Sequence, residues 1–142
     1  MTALPSCLVE SSALLRTVLG QAGGTELSTR LVLAREIHVS RLTRIECARA
    51  VLRLRLAGDH GEREIARVES DLQAVLDRAR EHSLSEEVCE LAGRVAPHHA
   101  LRTLDAVHLA TWQVARRIDP ELELLTADRR LAAAAGVEPV AG

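Results

Sequence analysis

The sequence has no phenylalanine and no tyrosine, and Trp112 is its single aromatic residue. Its core must therefore be aliphatic. Reading of single-stranded RNA by stacking bases on exposed rings has almost nothing to use. Lysine is absent too, so arginine supplies all 18 basic residues, and with 20 acidic residues the formal net charge is −2. That excludes the broad basic field of a non-specific nucleic-acid binder and leaves a local arginine patch or a bound cation to attract a polyanion. Cys7, Cys47 and Cys89 are odd in number, far apart and form no CxxC pair. They argue against a disulfide framework or a zinc ribbon and for buried free thiols in a reducing compartment. No apolar run approaches membrane-spanning length, and Met1 to Val9 lacks the basic stretch and long apolar segment of a secretory leader. The expectation is a cytoplasmic protein with no membrane partner.

What is present suffices for a core. The chain has 142 residues, the size of one ordinary domain, and 47% of them are hydrophobic. A single domain over residues 1–142 is expected. Ser6 to Val9 reads as a short buried strand, followed by Glu10 and by a helix that Ser11 or Ser12 can cap and Gly20 can stop. A second helix is expected from about Thr25 to Arg35 and a strand over Glu36 to Ser40. From Leu42 to Ala57, Ile45, Ala48, Leu52 and Leu56 fall on one helical face, and Glu62 to about His82 is a longer amphipathic helix. Shorter helices are expected over Ser85 to Val95 and Thr103 to Ile118, then a strand over Leu122 to Thr126, a helix over Arg129 to Ala135 and a last strand over Val137 to Val140. Short apolar strands alternating with helices predict an α/β three-layer sandwich, a parallel sheet of four to five strands flanked by helices. In such sheets ligands collect beyond the carboxyl ends of the strands, where the strand order reverses. Glu10 ends the first strand, and Asp128 lies two residues past Thr126 in a later one.

Four segments carry a resemblance. Leu8-Val9-Glu10-Ser11-Ser12-Ala13-Leu14 resembles the opening motif of PIN-domain nucleases, particularly the VapC-type toxins of toxin–antitoxin pairs. Ser40-Arg41-Leu42-Thr43-Arg44-Ile45-Glu46 resembles their second motif, Leu104-Asp105-Ala106-Val107-His108-Leu109-Ala110 the third, and Leu125-Thr126-Ala127-Asp128-Arg129-Arg130-Leu131 the fourth. The matches follow the family's order and span nearly the whole chain. The resemblance implies a PIN-like sheet flanked by helices, Mg²⁺- or Mn²⁺-dependent endoribonuclease activity, a homodimer, and inhibition by a small cognate antitoxin. It makes Glu10, Glu46, Asp105 and Asp128 the expected metal-holding and catalytic residues. Glu10 stands where the family usually has aspartate. It keeps the charge and sets the carboxylate a methylene farther from the strand, so metal geometry is expected to adjust. The alternative is a catalytically weak PIN-like module that binds RNA or a protein partner.

The chemistry gives those residues an independent rationale. Mg²⁺ takes oxygen ligands, keeps several waters and is satisfied by a few carboxylates. Clustered carboxylates repel one another until a divalent ion neutralises them, and the ion lowers the pKa of a bound water and stabilises phosphate oxygens. Each acid also has a structural reading. Glu46 can pair with Arg49 or Arg53 on a helix surface, Asp105 suits a first helical turn, and Asp128 can cap the helix after it. Ser12 and Thr126 either support the site or serve as local caps. Arg16, Arg129 and Arg130 are the better candidate phosphate contacts, whereas Arg41, Arg44, Arg49, Arg53 and Arg55 either line an RNA groove or, as the default reading, bridge to the acidic helix carrying Glu62, Glu64, Glu69 and Asp71. His108 follows Asp105 by three helical steps, most of a revolution, and is read as a packed or surface histidine rather than a general base. His98 and His99 are read as loop residues. With no aromatic platform, the expected substrate is a structured RNA such as a tRNA stem-loop or an rRNA hairpin, selected by shape and phosphate contacts.

Overall fold

The computed structural model describes residues 4–140. Among them the order of elements is β1 (Cys7–Val9), α1 (Ser11–Val18), α2 (Gly24–Leu33), β2 (Ile37–Ser40), α3 (Arg41–Ala57), α4 (Glu62–Arg78), β3 (Arg80–His82), α5 (Glu86–Ala92), α6 (Thr103–Ala115), β4 (Glu123–Leu125) and α7 (Arg129–Ala135). All strand pairs are parallel and the sheet order is β3-β2-β1-β4. This is the expected α/β sandwich with four strands. None of the described helices is long and apolar enough to cross a membrane.

Strand alternation sorts the core into two layers. Cys7 and Val9 of β1 face one side, with Leu14, Val18, Leu27, Val51, Ile65, Val68 and Leu72 of the first four helices. Leu8 between them faces the other, with Leu109, Trp112, Leu124 and Leu131. Trp112 is a packed residue, as expected: its ring is buried and its N–H donates to Leu122 O at 2.9 Å. Helix α2 packs tightly on α1 because Gly24 has no side chain. A Cβ there would sit 2.7 Å from Arg16 O.

Several expectations are corrected. The long helix does not reach His82. It ends at Arg78, and residues 80–82 form the edge strand β3 paired to β2. Arg-Glu-His has no apolar residue to announce a strand. Its place is fixed by tertiary pairing, which includes stacking of His82 on His38 with centroids 5.0 Å apart and a 2.7 Å contact between His38 Nδ1 and His82 Nε2. Burial holds both imidazoles below their ordinary pKa. The last expected strand does not form either. Residues 137–140 are irregular, joined to β4 through the Val140 N to Thr126 O bond at 2.8 Å, because Pro139 lacks the donor a ladder needs. On α3 the expected apolar face is the exposed one. Ile45, Leu52 and Leu56 are open to solvent, while Leu42, Thr43, Cys47, Ala50 and Val51 are buried. Helix α1 is capped by Glu10 rather than by a serine. The helices expected to reach Val95 and Ile118 end at Ala92 and Ala115. Cys7 and Cys47 are buried free thiols, whereas Cys89 is exposed.

Candidate active site

The strand order reverses between β1 and β4, since β1 leads outward to β2 and β3 before the chain returns to β4 on the other side. Loops leaving those two strands diverge and open a crevice at their carboxyl ends. Glu10 leaves β1 there, and Thr126 and Asp128 leave β4.

Glu10 is 5% exposed, and its carboxylate is bound on both oxygens. Oε1 accepts from Ser12 N at 3.1 Å, while Oε2 accepts from the hydroxyls of Ser12 and, at 2.8 Å, Thr126. Each hydroxyl in turn accepts a backbone N–H of the turn after β4: Ser12 Oγ from Ala127 at 2.9 Å and Thr126 Oγ1 from Asp128 at 3.0 Å. The two strand ends are thus cross-braced through one carboxylate. Ser12 and Thr126 act here as braces rather than as helix caps.

Glu46 approaches from α3, in its second turn. Its Oε1 accepts from Ser11 Oγ at 2.6 Å and faces His108 Nε2 of α6 at 2.5 Å. Burial opposes its charge, but the bonds from His108 and Ser11, with the positive charge of Arg53, hold its carboxyl below the usual carboxylate range. It is therefore a half-buried anion set into the site, and it forms no ion pair with Arg49 or Arg53 among the described residues. The neighbouring Cys47 thiol is pushed up to about 12, first by burial and then by the charges of Glu46 and Glu10, which leaves it unsuited to nucleophilic work.

The other two acids share a separate partner, Arg102. Asp105, in the first turn of α6, accepts from Arg102 Nε at 3.3 Å. Asp128 caps α7 by accepting from Leu131 N at 3.0 Å, and its second oxygen lies 3.7 Å from Arg102 NH2. Arg102 itself is largely exposed.

A PIN-domain family model matches residues 7–137 of the chain. The chain belongs to the PIN-domain family. No curated protein sequence matches it significantly. Among solved structures, a toxin–antitoxin complex from Klebsiella pneumoniae shares 19% identity with a TM-score of 0.65, over 93% of this chain and 95% of that one. VapBC-5 from Mycobacterium tuberculosis shares 16% with a TM-score of 0.63, over 96% and 98%. VapBC2 from Rickettsia felis, bound to a fragment of its promoter DNA, shares 10% with a TM-score of 0.62, over 96% and 97%. At these identities the likeness is one of fold.

Within this PIN domain, ligand atoms of Glu10, Glu46 and His108 all lie within 4.8 Å of one another. Glu10 and Glu46 are thus brought together directly. Asp128 is tied to Glu10 only by its backbone N–H on Thr126, and the carboxylates of Asp128 and Asp105, which share Arg102, are not part of this group among the described residues. The donor set fits a hard divalent cation. Glu10 is a buried carboxylate that no arginine or histidine pairs with among the described residues, and a buried charge requires compensation. Glu46 Oε2 accepts no protein hydrogen bond among those residues, because both bonds fall on Oε1.

Arg16, with Arg53, lines an open groove that also contains Ser12, Ala127 and Asp128. Arg129 and Arg130 are exposed on α7 and do not line it. Arg55 bridges to Glu62 and Glu69 as the charge pattern suggests, but Arg41 and Arg44 bind Glu81 of β3. His108 is the residue the sequence reading placed on the wrong side. Three helical steps advance 300°, which leaves only 60° between its direction and that of Asp105, so the two share a side of α6. That arithmetic, with a motif acid three residues earlier, was the available signal. Arg102 left no comparable mark in the sequence.

Proposed function

We propose that this single-domain protein, residues 1–142, is a metal-dependent endoribonuclease and the toxin of a toxin–antitoxin pair. Glu10, Glu46, Asp105 and Asp128 hold Mg²⁺ or Mn²⁺, and the reaction is hydrolysis of an RNA phosphodiester. The observation that carries this is the meeting of Glu10 and Glu46 at the strand-order reversal of a PIN fold, with compatible ligand atoms within 4.8 Å. Bound there, a divalent ion lowers the pKa of a coordinated water and neutralises phosphate charge. The chain supplies the rest. Ser12 and Thr126 hold Glu10 rigid, Arg16 and Arg53 draw the phosphodiester into the groove above Asp128, and Arg129 and Arg130 extend the positive rim along α7. Because Trp112 is buried, no ring is offered to an unpaired base. A structured substrate, tRNA or rRNA, recognised through shape and backbone, follows from that.

The partners proposed are a cognate antitoxin and a second copy of the chain, acting in the cytoplasm. Two observations support them: solved structures of like fold come from toxin–antitoxin systems, and α3 exposes the apolar stripe Ile45, Leu52 and Leu56.

A second reading, a catalytically weak module that binds RNA or protein, draws on the state of Glu10. Both acceptor positions of its Oε2 are filled by hydroxyls, and Oε1 already takes one N–H. Cleavage of folded RNA in Mg²⁺ or Mn²⁺ against EDTA decides between the readings, with Glu10→Asp alongside wild type. The nuclease reading expects metal-dependent cleavage by wild type, kept or increased in Glu10→Asp. Cleavage unchanged by EDTA would sink it, and cleavage confined to Glu10→Asp would favour the weak module.

A further inference from the structure

His108 is wholly buried, yet its ring nitrogens are used unequally. Nε2 lies 2.5 Å from Glu46 Oε1, while Nδ1 is buried with no hydrogen-bond partner among the described residues. A ring nitrogen carrying a proton in a buried site needs an acceptor, whereas a bare acceptor nitrogen is tolerated more readily. The hydrogen-bond network therefore assigns the proton to Nε2, where Glu46 receives it, and leaves Nδ1 bare. This distinguishes two roles. A histidine that ligated a metal through Nε2 would have to carry its proton on Nδ1, and metal-binding histidines almost always give that second proton to a partner. Here there is none.

We infer that His108 is a positioning residue, neither a metal ligand nor a general base: with Ser11 it pins Glu46 by Oε1 and leaves Oε2 as the oxygen that meets the cation. The clamp joins three elements. Ser11 opens α1, Glu46 belongs to α3 and His108 to α6, so the helices on the two faces of the sheet are tied together over its carboxyl edge. The assignment of a cation to Oε2 rests on the nuclease reading above, but the clamp itself does not.

Two measurements test it. The first uses the protein without metal. Nitrogen-15 spectra of the His108 ring are expected to show a protonated Nε2 and a bare Nδ1, with the Nε2 signal moved by Glu46→Gln. A ring protonated on Nδ1, or one indifferent to Glu46→Gln, would overturn the clamp. The second is Mn²⁺ titration of wild type, His108→Leu and His108→Gln, with circular dichroism to confirm folding. Leucine fills the buried space without a donor and is expected to weaken Mn²⁺ binding about tenfold or more, while glutamine, whose amide can donate near the Nε2 position, is expected to stay close to wild type. Equal loss in both variants would make His108 a ligand, and no loss in His108→Leu would make it mere packing. Either result contradicts the proposal. If wild type bound no Mn²⁺ at all, the nuclease reading and the Oε2 assignment would fall, and the ring spectrum would still decide the clamp.

Discussion

The inner and outer carboxylates of this PIN domain are held in opposite ways. Glu10 and Glu46 are fixed by hydroxyls, a backbone N–H and an imidazole. Asp105 and Asp128 face a solvent-exposed guanidinium, apart from the cap that Asp128 gives to α7. The difference separates two jobs. Inner acids serve the fold as well as the chemistry, since their donors would be orphaned without them. Asp105 is tied to an exposed arginine, so its loss should register mainly in function, whereas Asp128 also serves the fold as the cap of α7.

Glu46→Ala is the strongest way to break the comparison. It removes the acceptor of both Ser11 and His108, so cleavage is expected to vanish and urea unfolding to show a loss of about 1–3 kcal/mol. A fully stable variant would mean that the inner network does not brace the fold. Asp105→Asn keeps the shape and removes the charge. Cleavage is again expected to be abolished, but with stability changed by less than about 1 kcal/mol, because the lost partner is an exposed arginine. A destabilisation matching that of Glu46→Ala would erase the distinction.

Acid sharpens the same contrast by a smaller amount. The folded carboxyl of Glu46 sits below its ordinary value of 4.5 because His108 and Ser11 bond to it against the opposing effect of burial. Its contribution to stability is therefore complete above about pH 4.5 and is lost as the pH falls from there through the folded value. Unfolding measured from about pH 6 down to about pH 3 should show a shallower acid loss for Glu46→Gln than for wild type. Identical slopes would show that the clamp does not favour the ionised form.

Much of this was legible in sequence, for definite reasons. The strands β1, β2 and β4 carry short apolar runs between helical patterns, and burial of both sheet faces demands such runs. Strand β3 carries none, so its pairing with β2 appears only in three dimensions. Pro139 is the sign in the sequence against a strand at residues 137–140. Among the site residues, Glu10 and Asp128 could be placed at strand ends because the chain order of a parallel sheet dictates where its carboxyl edge lies. The partners of Glu46 could not. Ser11 and His108 lie 35 and 62 residues away, and which face of α3 turns inward was itself misjudged. Cys47 and Val51, rather than Ile45 and Leu52, mark that face.

The central claim is that a divalent cation sits on the inner carboxylates through the oxygen the clamp leaves free. Anomalous diffraction from crystals soaked in Mn²⁺ reads this directly. The account predicts a peak at coordination distance, about 2.1–2.2 Å, from Glu46 Oε2 and beside Glu10, with His108 Nε2 still bonded to Oε1. A peak coordinated by His108 Nε2, or ordered Mn²⁺ elsewhere with none beside Glu10 and Glu46, would contradict it.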